Sequence, residues 1–114
     1  MSFKNLIAYQ KGFELAMDIF EISKSFPKEE TFALTNQIRK SSRSTCANIA
    51  ETYRKRNYPK HFISKLSDSD SENSETQVWL DFSESCNYLS LEKKEILINY
   101  MNLNPEKFEV KTAN

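Results

Sequence analysis

The sequence contains a single glycine, Gly12, and three prolines among its 114 residues. Tight β-hairpins usually need glycine at their turns, because the favoured hairpin turns place their central residues at positive φ. A chain with so little glycine has few points at which a sheet could turn back on itself. The scarcity of glycine favours an all-α fold. A chain of 114 residues is long enough for one hydrophobic core but not for two independent domains.

Apolar residues recur at three- and four-residue intervals, the spacing of one helical face, in four segments of the chain. These segments predict an antiparallel up-down four-helix bundle, a single domain with helices at about residues 5–26, 32–56, 60–89 and 91–102. Pro27, Pro59 and Pro105 follow the first, second and fourth segments, where proline commonly ends a helix. The fourth helix is short, and we expect residues 106–114 beyond it to fray.

The predicted core faces of the first two helices differ in size. On the first helix, large apolar residues dominate one face, namely Leu6, Tyr9, Phe13, Ala16, Met17 and Phe20. On the second helix, smaller residues interrupt the seam, which comprises Leu34, Ile38, Ser41, Thr45, Ile49 and Tyr53. Small side chains let two helices approach closely but bury less apolar area than leucine does. Thr31 and Ser90 precede the second and fourth helices and are suited to be N-caps.

Residues 67–77 lie in the middle of the third segment and are polar throughout, with the sequence Ser-Asp-Ser-Asp-Ser-Glu-Asn-Ser-Glu-Thr-Gln. Such a composition is typical of an acidic, serine-rich loop, because these side chains compete for backbone hydrogen bonds and bury little apolar surface. Local propensity therefore predicts a break in the third helix.

Basic and acidic residues number 16 each, but the two signs are segregated along the chain. In residues 39–65, eight basic side chains accompany one acid, Glu51. In residues 66–98, eight acids accompany Lys93 and Lys94. The basic segment is suited to an anionic partner, and it equally permits the second helix to lie beside the acidic third one, within one subunit or between subunits.

Five strings occur in this helical context: Phe26-Pro27, Phe32-Ala-Leu-Thr-Asn-Gln37, Ala47-Asn48-Ile49-Ala50-Glu51, Ser74-Glu75-Thr76-Gln77 and Tyr88-Leu89-Ser90. With them, the chain from about Leu6 to Phe108 resembles the four-helix-bundle family named for bacterial proteins encoded within intervening sequences of 23S ribosomal RNA genes. The resemblance implies an antiparallel bundle that assembles as a ring of five and whose third helix continues through residues 67–77. The resemblance also implies a relationship to an accessory protein of diversity-generating retroelements, which is basic and binds nucleic acid. For most members of the family, no biochemical activity is established.

The chain departs from the family pattern at two points. Thr52 stands where the family usually has glycine, so we expect the second helix to extend past this position. The family's fourth helix is usually long, whereas the segment 91–101 would span only about 16 Å, against about 45 Å for the third helix. The uncovered part of the third helix then faces either an open end or a neighbouring subunit, and Trp79 and Phe82 are candidates for such an interface.

The residues offer no basis for enzymatic chemistry. His61 is the only histidine and has Tyr58 three residues before it, so the Glu-x-x-His pairs of di-iron bundles cannot form. Cys46 and Cys86 lie at no metal-ligand spacing, and one glycine excludes the glycine-rich nucleotide-binding loops. We therefore expect a non-enzymatic protein with no metal, cofactor or small-molecule substrate.

Two further features concern the cellular compartment. Two cysteines are too few for a disulfide framework, and the first residues do not resemble a cleavable leader, so we expect a reducing, cytoplasmic compartment. No apolar run approaches the roughly 20 residues that cross a bilayer, and we expect no membrane insertion.

The candidate binding residues are basic side chains on and after the second helix, namely Arg39, Arg43, Arg54, Lys55, Arg56 and Lys60. They could contact the phosphates of RNA or DNA without reading sequence, with Tyr58 stacking on a base. One alternative is a solvated helix end whose cations complement the helix macrodipole. Another is a scaffolding module in which the second helix pairs with the third helix of a neighbour and binds no nucleic acid.

The string Ala47-Asn48-Ile49-Ala50-Glu51 is interpreted as a structural motif. An asparagine on a packed helix commonly hydrogen-bonds to a neighbouring helix and fixes its register, and we expect this of Asn48 in preference to a recognition role. Glu51 either joins that network or pairs with a basic residue.

Overall fold

The computed structural model describes residues 2–101, which fold into four α-helices and two short 3-10 turns. The helices are α1 (Ile7–Ser23), α2 (Leu34–Arg54), α3 (Pro59–Ser85) and α4 (Leu91–Tyr100), and the turns are Phe3–Asn5 and Lys28–Glu30. α2 and α4 each pack against both α1 and α3, which lie diagonally opposite each other. The predicted all-α four-helix bundle is confirmed, whereas residue 102, Pro105 and the predicted frayed tail lie outside the described residues.

Ser90 is the N-cap of α4, as predicted, whereas the prediction that Thr31 caps α2 is wrong. Ser90 Oγ accepts a hydrogen bond from the backbone N–H of Lys93 at 3.0 Å, as an N-cap does. The Thr31 hydroxyl instead donates to the carbonyl of Lys28 at 2.7 Å, and α2 begins only after Ala33. Thr31 therefore closes the 3-10 turn that precedes α2, because its backbone N–H and its hydroxyl both donate to the Lys28 carbonyl.

The main apolar core lies at the end of the bundle that α4 covers. It combines buried side chains from all four helices and the connections, namely Leu15, Ile19, Phe26, Leu34, Ile38, Leu80, Leu89, Leu97 and Met101. A smaller cluster of Leu6, Ala8 and Ile49 lies apart from it. α4 has 10 residues and is about 15 Å long, whereas α3 has 27 and is about 40 Å long, so α4 covers only part of α3.

A partly buried lysine attaches α4 to α3. Lys94 Nζ lies 3.3 Å from Asp81 Oδ1 and 3.4 Å from Glu84 Oε1, and the lysine side chain is only 15% exposed. Burial lowers the pKa of Lys94, but the hydrogen bonds with Asp81 and Glu84 outweigh this effect, so the pKa is raised. The two contacts hold the first turn of α4 against the end of α3.

The buried face of α1 matches the predicted one only in part, because Leu6 and Ala16 are buried as predicted but Phe13 and Met17 are not. α1 turns Ala8, Gly12, Leu15 and Ile19 towards the interior, whereas Phe13 and Met17 are 51% and 45% exposed. A Cβ atom at Gly12 would lie 3.4 Å from Ile49 Cδ1 and 3.6 Å from Cys46 Cα, so the two helices approach closely here. Because close packing selects the small-residue face, the bulkier residues are left along the edge of the α1–α2 contact.

Small hydroxyl side chains join α2 to α3, and we call Ser41, Thr45, Ser69 and Thr76 the hydroxyl seam. Thr76 Oγ1 and Ser41 Oγ share a hydrogen bond of 2.8 Å, and Ser69 Oγ donates to the carbonyl of Thr45 at 3.2 Å. All four residues are buried. α3 is continuous through residues 67–77, so the break predicted from composition is wrong and the helix implied by the family resemblance is confirmed.

Asn73 extends the polar interior towards α4. Its Nδ2 donates to the carbonyl of Met101 at 2.6 Å, while its Oδ1 is buried and has no hydrogen-bond partner among residues 2–101. On α2, Thr52 is fully buried and donates to the carbonyl of Asn48 at 2.8 Å. The helix continues past Thr52 to Arg54, as the departure from the family's glycine predicted.

The hydroxyl seam can be tested with a double-mutant cycle. Thr76→Val keeps the side-chain shape but removes the hydroxyl, and we expect it to lower the free energy of unfolding by about 1–2 kcal/mol. Ser41→Ala combined with Thr76→Val should cost less than the sum of the single changes, because no unpaired partner remains. Urea denaturation followed by circular dichroism measures both, with exposed Ser71→Ala as the control. Strict additivity would contradict the proposed coupling.

Candidate nucleic-acid interface

The six predicted binding residues form two groups rather than one patch. Arg39, Arg43 and Arg54 lie on the outer face of α2 near α1, and the last two line the same groove. Lys55 and Arg56 follow the last residue of α2, and Lys60 lies in the first turn of α3. Helical spacing explains the split, because positions 43 and 54 are three turns apart on one face whereas position 55 points elsewhere.

Three cations surround the ring of Phe20 on α1. Lys24 Nζ and Arg39 Cζ each lie 4.8 Å from the ring centre, and Arg43 Cζ lies 5.6 Å from it. The negative face of an aromatic ring attracts cations, so Phe20 can hold the three positive groups together in spite of their mutual repulsion. We call Phe20, Lys24, Arg39 and Arg43 the Phe20 cluster. From the sequence, Phe20 was predicted to lie on the core face of the first helix and Lys24 was not a candidate, because neither lies in the basic segment.

Arg39 is oriented by a buried hydroxyl. Its Nε donates to Ser23 Oγ at 2.7 Å, and Ser23 Oγ in turn donates to the carbonyl of Phe20 at 3.0 Å. Ser23 is only 2% exposed, so this support is rigid. A guanidinium group carries five N–H donors, and this contact uses one of them. The remaining donors are left for a ligand such as a phosphate.

A groove of about 550 Å³ runs between α1 and α2. Its apolar lining comes from the exposed edge of α1 and from small residues of α2, namely Phe3, Tyr9, Phe13, Ala16, Met17, Cys46, Ala47 and Ala50. Arg43, Arg54 and Glu51 add charge to the walls. We call this cavity the α1–α2 groove. It combines an apolar floor with cations spaced along α2.

The second basic group is partly engaged in its own helix end. The guanidinium of Arg56 lies 4.2 Å from the ring centre of Tyr53 and donates to the Tyr53 carbonyl at 3.1 Å. Tyr58 is 61% exposed and meets exposed His61 edge to face at 6.3 Å. Cations near the last turn of a helix complement its macrodipole, which fits the solvated-end interpretation for Lys55 and Arg56 but not for Lys60, since Lys60 lies in the first turn of α3.

The cations of α2 have no carboxylate partner in the part of the chain that the structure describes. The ion pairs there join other lysines to acids, namely Lys11–Glu14, Lys24–Glu21, Lys65–Asp68, and Lys94 with Asp81 and Glu84. α2 does lie beside α3, but in residues 2–101 no ion pair joins them. The hydroxyl seam occupies their interface, so the basic and the acidic side chains face away from it.

The motif at residues 47–51 contributes to both the core and the groove. Ile49 is fully buried, whereas Ala47, Ala50 and Glu51 line the α1–α2 groove. The hydrogen bond predicted for the Asn48 side chain is not formed with any of residues 2–101, and its backbone carbonyl accepts from Thr52. Glu51 likewise forms no ion pair within these residues.

The two cysteines have different surroundings. Cys46 is buried between α1 and α2, its Sγ donates to the carbonyl of Tyr9 at 3.9 Å, and burial raises the pKa of the thiol to about 11. Cys86 is exposed at the end of α3. Across residues 2–101, no group of three or more potential metal ligands occurs. No helix of that region is long and apolar enough to cross a membrane.

The fold is that of an antiparallel four-helix bundle. The outer face of its second helix carries cations that have no carboxylate partner in residues 2–101. Residues 4–104 match the family described as 23S rRNA-intervening sequence protein, and the chain belongs to that family, as the resemblance predicted. The chain is also similar to a crystal structure from Bacteroides thetaiotaomicron VPI-5482, described as a protein with unknown function from the S23 ribosomal protein family. The two share 29% sequence identity with a TM-score of 0.73, over 83% of this chain and 85% of that one. A comparison of this sequence with curated proteins found no match.

The cysteine environments predict a difference in reactivity. At pH 8 a thiol with a pKa of about 11 is ionised in only about one molecule in a thousand, and Cys46 is also shielded by the helices. We expect iodoacetamide to modify Cys86 in the folded protein and Cys46 only after denaturation, as measured by peptide mass spectrometry. A Cys86→Ser variant isolates the buried thiol. Rapid labelling of native Cys46 would contradict the tight packing of α1 on α2.

Proposed function

We propose that the protein is a non-enzymatic, oligomeric helical bundle of the cytoplasm that binds RNA or DNA through the outer face of α2. The observation that carries this proposal is the unpaired state of Arg39, Arg43 and Arg54, which find no carboxylate among residues 2–101. The whole chain has as many acids as bases, so a shortage of acids does not explain it. Segregation of the two signs leaves a cationic face that is open to an anionic partner.

The geometry favours phosphate contacts over sequence readout. The Phe20 cluster holds Arg39 and Arg43 within 5.6 Å of one ring centre, whereas its third cation, Lys24, is paired with Glu21. Arg39 is already oriented by Ser23. Cations that neutralise phosphates release counterions, which provides affinity for any sequence. Contacts to the backbone position a protein, whereas specificity needs contacts to base edges.

Assembly would multiply this face. The family resemblance implies a ring of five, and a ring repeats the α2 surface once per subunit. Linked sites raise the overall affinity because each later contact is intramolecular. A weak patch on one subunit thereby becomes an effective binding surface on the assembly.

A scaffolding role without nucleic acid is the second candidate, and exposed apolar residues favour it. Phe13 and Met17 are half-exposed in the cationic α1–α2 groove, while Val78 and Phe82 are 47% and 54% exposed on acidic α3. These surfaces are complementary in both charge and apolarity. Placing α3 of one copy in the groove of the next would give the head-to-tail contact from which rings are built.

The electrostatic proposal predicts a salt-dependent loss when the three arginines are neutralised. We expect Arg39→Gln, Arg43→Gln and Arg54→Gln together to weaken binding to a short single-stranded RNA and to reduce the slope of log K against log salt by about two. Fluorescence anisotropy across a salt series measures the slope. The matched control removes three lysines elsewhere, Lys28→Gln, Lys65→Gln and Lys93→Gln, and should change the slope much less.

Light scattering distinguishes the two candidates. If the arginine variant loses RNA binding but keeps its oligomeric mass, the outer face of α2 is the nucleic-acid surface. If it dissociates into monomers while the wild type binds no RNA even at low salt, the scaffolding role is correct and the proposed function is wrong.

A further inference from the structure

A second cavity, also of about 550 Å³, lies beside the first turns of α2. Phe32 forms one side of it with a side chain that is 93% exposed, and Arg39, Lys40 and Arg43 line the same cavity. We call it the Phe32 pocket. Its volume lies within the range of about 300–1,000 Å³ that is usual for ligand sites.

From this arrangement we propose that the Phe32 pocket binds one nucleotide of a single-stranded nucleic acid, with the base stacked on the Phe32 ring and the adjacent phosphates held by Arg39, Lys40 and Arg43. The inference rests on the proposed function and adds the strand state of the ligand and the residue that contacts its base.

The combination of groups carries the inference, because an exposed phenylalanine alone is common on protein surfaces. Here the ring shares a cavity with three cations that have no carboxylate partner in residues 2–101. An aromatic platform beside a basic groove is the usual arrangement for proteins that bind single strands. An acidic peptide would use the cations through its carboxylates, whereas every nucleotide of a single strand brings a planar base together with a phosphate.

Arg43 connects the Phe32 pocket to the α1–α2 groove, because it lines both cavities. The surface from Phe32 past Arg43 to Arg54 follows α2 for about 33 Å, at 1.5 Å per residue. Arg39 keeps further N–H donors after its bond to Ser23 and lines the Phe32 pocket. A strand that stacks at Phe32 can therefore meet further cations along the same helix.

The ring determines the preference for single strands. In a duplex the faces of the bases are covered by their neighbours, so they are not available to a protein side chain without unstacking. A phenylalanine ring has no hydrogen-bonding group and accepts every base by its π-face. The pocket therefore distinguishes single strands from duplexes and does not distinguish one base sequence from another.

The test compares Phe32→Leu with the wild type on a short fluorescein-labelled RNA of mixed sequence and on the same RNA annealed to its complement. We expect Phe32→Leu to weaken single-strand binding by at least about fivefold and duplex binding by less than about twofold. Phe32→Trp should restore single-strand binding because it retains an aromatic face. Leu91→Ala changes another exposed apolar residue, at the start of α4, and should leave both affinities unchanged.

Each other outcome overturns the inference in a recognisable way. If Phe32→Leu binds the single strand as well as the wild type does, while the arginine variant is weakened, the electrostatic proposal stands and stacking at Phe32 is wrong. If the wild type binds neither RNA at low salt, both proposals fail. If Phe32→Leu alters the oligomeric mass without changing RNA affinity, Phe32 belongs to a subunit interface.

Discussion

The contact between α2 and α3 through the hydroxyl seam is the interaction on which the rest of the structure depends. Ser41, Thr45, Ser69 and Thr76 are small enough for the helices to approach closely, and their hydroxyl groups are satisfied within the contact. Buried polar groups are costly only when they lack partners, so these hydrogen bonds allow a polar segment to form the centre of a helix. Because the seam uses no charged group, the cations of α2 and the acids of α3 both face outward.

The packing of α1 has a related consequence. Gly12 and Ala8 bring α1 against α2 at short range and leave Phe13 and Met17 along the edge. Phe20 lies on the same edge, where it meets Arg39 and Arg43 across the helix contact. Close packing of small faces thus produces a surface on which aromatic, apolar and cationic side chains alternate, which is the composition that nucleic-acid and subunit contacts require.

The fold could be predicted from the sequence, because the scarcity of glycine and the helical spacing of apolar residues are local signals. The continuity of α3 could not, because Ser69 and Thr76 find their partners 24 and 35 residues away in the chain. The buried face of α1 was predicted only in part, since Leu6 and Ala16 are buried, whereas hydrophobicity favours Phe13 and Met17 and packing favours Gly12. The Phe20 cluster was missed for a similar reason, as its members come from two helices.

Amide hydrogen exchange of residues 67–77 tests most directly whether the hydroxyl seam holds the polar centre of α3 in the helix. The account predicts that the amides around Ser69 and Thr76 are protected to a degree comparable with those around Leu80, which lies in the apolar core. Exchange of residues 67–77 at the rate of an unstructured peptide, with protection retained around Leu80, would show that α3 is broken there, and the outward placement of the α2 cations would lose its structural basis.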